Sequence, residues 1–474
     1  MNVVGREAER KILVELLDKQ ESQFVAMYGR RRIGKTFLIR QTYEKLLVFD
    51  CAGLYQSNRE QLLENFWLKI SAKFNKVVLP PKSWLQAFKI LEDYLETLPK
   101  KGKKKVIFLD EISWFDTPKG GFLGALSNFW NSYCTKREDV VLIICGSAAS
   151  WIIEKVVKSK GGLHNRLNRT IRLNPFTLEE TQLYFKEKKM KFSIKDTIQL
   201  YMCLGGIPFY LNAITPGKSV PQILDELCFE PDALLSNEFE KLYAALFKNH
   251  ENHVKVIKAL ANKNKGLTRN EIVKFTSQST GGGLTKVLEE LEECDFISKY
   301  RDFDKAKEDG LYRLTDEYSI FYLKFMQDKK KFLKGNDLTS SQSFKTWSGF
   351  AFENLCFKHL TKIASSLGIS GIGYEAFSFI DKGGKDKTGT QIDLIIDRAD
   401  NAVNIIEIKY YNELYRLTKN DAANITQKVN SFTNKTNTKK TIFVTLISPH
   451  GAIKNEHYLS VISNELLAKD LMDK

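Results

Sequence analysis

Three runs of consecutive apolar residues mark the first third of this chain: Phe24-Val25-Ala26-Met27-Tyr28, Val106-Ile107-Phe108-Leu109 and Val140-Val141-Leu142-Ile143-Ile144-Cys145. Runs that are apolar at every position predict strands buried on both faces, as in a parallel sheet. A shorter strand-like stretch, Thr170-Ile171-Arg172-Leu173, follows them. Helix-type sequence opens at Phe37-Leu38-Ile39-Arg40 and again over 177–186. Strand-type and helix-type segments in alternation imply a doubly wound α/β sheet with a helical lid behind it.

The pattern then changes. Val254, Ile257 and Leu260 form an apolar helical stripe, and Thr268 with Glu271 three residues on reads as a capped second helix. A third helix is predicted over 284–293, with strand-like stretches over 296–301 and 311–315 as the arms of a wing. Past residue 390 the periodicity shortens to two. Ile392-Asp393-Leu394-Ile395-Ile396-Asp397 and Ile405-Ile406-Glu407-Ile408-Lys409 predict strands. Alternation puts Asp393 and Asp397 on a face opposite Ile392, Leu394 and Ile396, and puts Glu407 and Lys409 together. If the two strands pair as a hairpin, Asp393, Glu407 and Lys409 converge. The regions expected are 1–175, 176–249, 250–335 and 336–474.

Chemistry enters between the first strand and the first helix. Gly29-Arg30-Arg31-Arg32-Ile33-Gly34-Lys35-Thr36 fits the phosphate-loop pattern G-x-x-x-x-G-K-[ST] without a mismatch, and Phe37 continues into the helix. Its glycines let backbone N–H groups converge on phosphate oxygens at a helix N-terminus. Lys35 is placed to reach the β- and γ-phosphates of ATP, and the Thr36 hydroxyl to ligate Mg2+. The second apolar run ends in Asp110-Glu111. Asp110 is expected to hold Mg2+ and Glu111 to polarise the attacking water as general base. Ser147, after the third run, stands where a γ-phosphate sensor is expected; any polar turn residue after a strand would look the same. Arg30, Arg31 and Arg32 either strengthen ATP binding or lie on the outer side of the loop.

At 474 residues the chain is long enough for roughly two to four domains. The 72 basic residues against 57 acidic ones give a net charge of +15, which favours a polyanionic partner such as nucleic acid. No apolar stretch reaches ~18 residues, so no membrane partner is expected. Seven cysteines without a C-x-x-C fit neither a disulfide framework nor a zinc site, and the expectation is a soluble, cytoplasmic protein. The lysines at 101 and 103–105 read as a solvated loop. His250 and His253 have metal-like spacing on a helix but lack a second pair, and are taken as surface residues. Trp347, Phe350 and Phe352 are taken as core.

Val4-Gly5-Arg6-Glu7, the arginine-rich phosphate loop, Leu109-Asp110-Glu111, Cys145-Gly146-Ser147, the stretch 166–176 and Gly205-Gly206-Ile207-Pro208 occur in that order. Together they resemble the archaeal-type ATPase branch of the AAA+/STAND superfamily over roughly the first 330 residues. The resemblance implies that Val4 and Gly5 border the adenine and that the lid segment ending in Pro208 senses nucleotide. It also implies an arginine finger, with Arg166 the first candidate and Arg169 the second, and hence an oligomer if the finger acts across subunits. The structural alternative for both arginines is surface charge beside a strand. No arginine sits in the lid motif, which favours a nucleotide switch over a processive motor.

A winged helix implies nucleic-acid reading, but here the third helix sets Lys286 against Glu289, Glu290, Glu292 and Glu293. Four carboxylates facing a polyanion is poor chemistry, so the segment is read chiefly as a relay. Asp393-x13-Glu407-x-Lys409 resembles the PD-(D/E)xK nuclease core, with Glu353 as the upstream helical acid and Gln427 as a later helical candidate. Ile392 stands where a proline often precedes the aspartate. The resemblance implies a restriction-endonuclease-like α/β domain, of unknown function in archaeal-type ATPases. Asp393, Glu407 and Glu353 would there hold Mg2+ or Mn2+, and Lys409 would position water or stabilise phosphoryl charge. The alternatives are an ordinary hairpin with a charged face, or a nuclease fold that binds without turnover.

Overall fold

The computed structural model describes residues 3–74, 77–99, 102–158, 161–247, 249–263, 265–277, 281–300, 303, 310–328, 335–381 and 389–472. They divide into two compact units, Met1–Pro175 and Phe176–Lys474.

The first unit is built on five parallel strands: β1 (Gln23–Tyr28), β2 (Leu47–Ala52), β3 (Lys105–Asp110), β4 (Val140–Gly146) and β5 (Arg169–Arg172), in the order β2-β3-β4-β1-β5. β3 and β4 are buried along their whole length, which is why their sequences show no polar alternation. The order sets β4 between the phosphate-loop strand and the acidic strand. Met27 pairs with Cys145 and Leu109 with Ile144. Gly29, Asp110, Glu111 and Ser147 therefore all emerge at the carboxyl edge, where open α/β sheets bind ligands. On one face, Trp84, Phe66, Phe88, Phe115 and Phe122 form a layer of edge-on, tilted and stacked aromatic rings, with the centroids of paired rings 5.0–6.4 Å apart. Each fully buried ring contributes roughly 2–3 kcal/mol by area.

Lys105 departs from the expected solvated loop. It is the first residue of β3, only 5% exposed, and its ammonium is paired with Asp139. Lys104 donates to the carbonyl oxygens of Glu21 and Glu138.

In the second unit, helices Leu178–Glu187 and Ile194–Leu204 each start from a capping box, Thr177 with Glu180 and Ser193 with Asp196. Helices His250–Ala261, Arg269–Thr276 and Gly282–Glu293 pack beside a three-stranded antiparallel sheet, β6 (Leu267–Thr268), β7 (Ile297–Tyr300) and β8 (Leu311–Leu314), ordered β6-β8-β7. The wing strand expected over 296–301 ends at Tyr300; Arg301 lies outside the described residues. His253 is not the surface residue expected. It is 3% exposed, stacked on Phe247 at 3.9 Å, and 2.8 Å from Glu290 of the third helix. One of that helix's carboxylates is thus consumed internally.

The last part holds a mixed sheet in the order β13-β12-β11-β10-β9. Its strands are β9 (Tyr374–Asp381), β10 (Thr390–Arg398), β11 (Ala402–Ile408), β12 (Thr441–Ser448) and β13 (Asn464–Leu467). β10 and β11 pair antiparallel, Leu394 with Ile406 and Asp397 with Val403. β11, β12 and β13 run parallel, and helix Lys419–Thr436 makes the crossover between the first two. The strict alternation expected on β10 fails at one point. Its register against β9 shifts between Ile392 and Ile395, and both residues join one core cluster with Val403, Ile405 and Phe432. Ile392 therefore shares its cluster with Ile395 where a regular strand would align it with Leu394, and Asp393 sits within the irregularity, a device that re-aims a side chain.

Candidate functional site

The phosphate loop closes on itself. Gly34 has φ 89° and Gly29 φ 152°, both on the positive side that glycine adopts without a steric penalty. Gly29 has a second constraint, since a Cβ there would stand 2.1 Å from the carbonyl oxygen of Leu173. Lys35 opens the helix Lys35–Tyr43, and its ammonium donates to the carbonyls of Gly29 at 2.8 Å and Arg30 at 2.9 Å. The three arginines part company: Arg30 is 1% exposed while Arg31 and Arg32 are half-buried. Phe37 is 40% exposed.

Thr36 Oγ1 donates to Asp110 Oδ2 at 2.6 Å. A hydroxyl and a carboxylate in contact are the hard oxygen donors Mg2+ takes alongside phosphate, so these residues fit that ion. Glu111, with φ 46°, turns its carboxylate away from the strand axis toward Ser147. Ser147 donates to it twice, from Oγ at 2.8 Å and from its backbone N–H at 3.2 Å. The serine singled out as a phosphate sensor thus holds the candidate base directly, a relationship invisible before the order of β3 and β4 was known.

Val4 and Gly5 are half-buried, and Gly5 and Arg6 take consecutive left-handed conformations at φ 64° and 58°. Arg6 Nη2 reaches the carbonyl of Ile33 at 3.4 Å, which brings this segment onto the phosphate loop. Arg166 and Arg169 are both exposed, and Arg169 Nη1 donates to the carbonyl of Asn168. Pro208 belongs to the second unit, where it begins helix Pro208–Asn212. Gly206 ahead of it lies against the backbone of Phe176, and a Cβ there would meet the Phe176 carbonyl oxygen at 1.9 Å.

The C-terminal residues gather at one edge of the mixed sheet. Glu407 is 7% exposed, with Lys409 Nζ 2.9 Å from Oε1 and Lys428 Nζ 2.6 Å from Oε2. Lys428 comes from the crossover helix, and sequence reading missed it; its signal was only its position one residue past Gln427. Asp393, one step beyond the paired Leu394 and Ile406, accepts from Gln391 Nε2 at 2.7 Å. Glu353 sits in helix Gln342–Lys358, 3.6 Å from Arg313 Nη2 of β8. Burial first, then the charges of Asp393 and Glu407, push the Glu353 carboxyl up to about 7, with Arg313 and Lys409 pulling the other way. Burial works against Glu407's charge too, but its two lysines keep its carboxyl below the usual range.

Glu353, Asp393, Glu407 and Lys409 are thus within electrostatic reach of one another. Among the described residues, no three acidic, histidine or cysteine side chains stand close enough to hold one metal ion together. The carboxylates suit a hard cation in type, and in arrangement they fit at most a two-carboxylate site. Trp347 and Phe352 are core residues at 5% and 0% exposure, whereas Phe350 is half-buried and lines a cavity beside Glu353. All seven cysteines are buried and unbridged. Among the described residues, no helix is long and apolar enough to cross a membrane.

Residues 3–214 match the model of an ATPase domain found predominantly in Archaea. An uncharacterized protein of Methanocaldococcus jannaschii is 24% identical over 448 residues, covering 88% of this chain and 92% of the relative. An uncharacterized ATP-binding protein of the same organism is 25% identical over 308 residues, 55% of this chain and 84% of that one. Among solved structures, a Walker-type ATPase of Pyrococcus abyssi covers 68% of this chain and 96% of its own, at 20% identity and a TM-score of 0.49. Residues 3–214 thus carry an ATPase domain, and the chain is an ATPase.

Proposed function

We propose that this ATPase is a nucleotide switch of the AAA+/STAND kind whose state governs a phosphodiester-cleaving site formed by Glu353, Asp393, Glu407 and Lys409. The observation that carries the reading is the buried Glu407 carboxylate with Lys409 Nζ at 2.9 Å, set beside Asp393 and a Glu353 whose proton affinity is raised first by burial and then by both acids.

At the nucleotide site, Lys35 leaves the loop carbonyls to meet the β- and γ-phosphates. Thr36 and Asp110 would hold Mg2+, which when bound neutralises charge developing on the phosphates. Glu111, oriented by Ser147, takes a proton from the attacking water. Arg166, or Arg169 behind it, would act as the finger, and both are exposed as a residue serving a neighbouring subunit must be. Val4, Gly5 and Pro208 are assigned to the adenine and to nucleotide sensing.

At the C-terminal site, Asp393 and Glu407 would hold Mg2+ or Mn2+, which when bound supplies Lewis-acid polarisation of the phosphate and of water. Lys409 hydrogen-bonds the water or the phosphoryl oxygen. Nucleic acid is the partner that a net charge of +15 favours. The segment over 250–335 serves as a winged-helix relay.

A second reading has its own support. Both oxygens of Glu407 are occupied by lysines, so the same fold would also serve as an ATP-gated module that binds nucleic acid or protein without cutting. Linear and circular DNA and RNA, incubated with Mg2+ or Mn2+ with and without ATP, separate the two. Cleavage lost in Lys409→Ala establishes the first reading; no cleavage by the wild-type protein in any metal establishes the second.

A further inference from the structure

The cavity beside Glu353 is walled by two parts of the chain that the sequence reads as separate domains. β7 and β8 supply Tyr300 and Arg313; the C-terminal part supplies Phe350, Glu353, Asp393 and Lys428. Its volume is ≈ 340 Å3. The two walls are fastened together. Asn354 Nδ2 donates to the carbonyl of Thr315, just past β8, at 3.0 Å, and the N–H of Phe303 reaches the carbonyl of Ser378 on β9 at 3.0 Å. Arg313 is 9% exposed, and its guanidinium lies 4.8 Å above the ring of Phe357 while facing Glu353 at 3.6 Å. Tyr300 meets the same Phe357 ring edge-on at 4.9 Å.

A buried cation held over an aromatic face, a second cation at Lys428 and two carboxylates in one recess make a chemically mixed wall. Positive groups there suit phosphate oxygens, and the rings of Tyr300 and Phe350 suit the flat face of a base. The volume sits at the small end of ligand pockets, enough for about one nucleotide. A duplex, whose major groove alone is ~12 Å wide, cannot enter such a recess without unpairing.

Resting on the phosphodiester reading above, we propose that this cavity admits an unpaired nucleotide, so that the C-terminal site is completed by the wing and takes single-stranded nucleic acid. Arg313 and Lys428 bind the phosphate, and Tyr300 and Phe350 face the base. The acidic third helix then has no groove to read. The segment contributes its sheet to the site.

The test is fluorescence anisotropy in EDTA, where no cutting occurs, with a labelled single strand of roughly 15 nucleotides and a hairpin duplex of matched length, each as DNA and as RNA. The single strand should bind at least about tenfold more tightly. Arg313→Ala and Lys428→Ala should each remove about tenfold or more of that affinity while leaving duplex binding as it was, the size of a lost charge-assisted contact. Equal affinity for the two forms overturns the proposal. So does an Arg313→Ala protein that melts like wild type and binds the single strand unchanged. Should that variant fail to fold, Lys428→Ala decides the question in the same assay. Cleavage in Mn2+ separates this claim from the one beneath it. Cutting of duplex with no single-strand preference leaves the nuclease reading standing and removes this inference. A preference lost in Arg313→Ala, without cutting in any metal, leaves the inference standing and removes hydrolysis.

Discussion

Ser147 grips Glu111 with two donors, its hydroxyl at 2.8 Å and its backbone N–H at 3.2 Å, so the carboxylate that ends one strand is aimed by the residue that ends the next. A carboxylate held this way, proposed above as the base, has its direction fixed but keeps one hydrogen bond if the hydroxyl is removed. Ser147→Ala should therefore lower kcat for ATP about tenfold with little change in KM, while Glu111→Gln should lower it about a hundredfold or more. Steady-state ATP hydrolysis reads both. A Ser147→Ala enzyme with an unaltered kcat would sever the serine from catalysis.

Thr36 and Asp110 touch at 2.6 Å, and on the proposed reading the pair holds the ion that accompanies ATP. Thr36→Val should leave nucleotide affinity in EDTA unchanged and remove most of the gain that Mg2+ confers. Titration of a fluorescent ATP analogue with and without the metal measures the difference. Equal loss in both conditions would mean that the threonine serves the loop instead of the ion.

His359 is buried, accepts the N–H of Leu178 on Nε2 at 2.9 Å, and pairs through Nδ1 with the Leu355 carbonyl at 2.8 Å. Burial first, helped by the charges of Lys358 and Lys362, pushes its pKa down to about 4, against the backbone contact to Leu355 that raises it. The folded form is therefore neutral where the unfolded form, near 6.5, takes up a proton. The associated stability is fully present above about pH 6.5 and falls by roughly 3 kcal/mol as pH drops to about 4. Urea melts across that range should show the slope, and His359→Gln should flatten it at the cost of a lower plateau.

Glu317 and Lys358 form an ion pair at 2.8 Å with the carboxylate side chain only 3% exposed. Breaking one side leaves a buried charge, so Lys358→Met should cost about 3–5 kcal/mol, whereas Glu317→Leu combined with Lys358→Met should recover much of it. A double-mutant cycle on denaturation midpoints gives the coupling. Additive losses would show that the two residues do not depend on each other.

How far the residues alone led differs between the two halves. β1, β3 and β4 were legible because a strand covered on both faces is apolar at every position between its ends, and Gly29 to Thr36 leaves few other structures open. The capped helix at Thr268 was legible for a similar local reason, since its capping box needs only residues 268 to 271. Ser147's hold on Glu111 was not, because it depends on β4 being inserted beside β3, which no local signal states. Arg313 and Lys428 escaped notice for the same reason. Each is an ordinary basic residue in its own element and becomes part of the C-terminal cavity only through long-range packing. His253 was misjudged because a histidine's exposure is set by a partner, Glu290, 37 residues away.

The 2.1 Å approach between a would-be Cβ at residue 29 and the Leu173 carbonyl makes the phosphate loop and the tail of β5 one mechanical part. Leu173 is itself tethered to Tyr28 by a 2.8 Å backbone hydrogen bond, and the chain leaves the first unit two residues later. Any rearrangement of the loop around a triphosphate must either be suppressed or be passed along the polypeptide at that exit. The glycine thus acts as a bearing surface. Its bareness lets the loop rest on the departing strand, and a single methyl group there would jam the joint before nucleotide ever arrived.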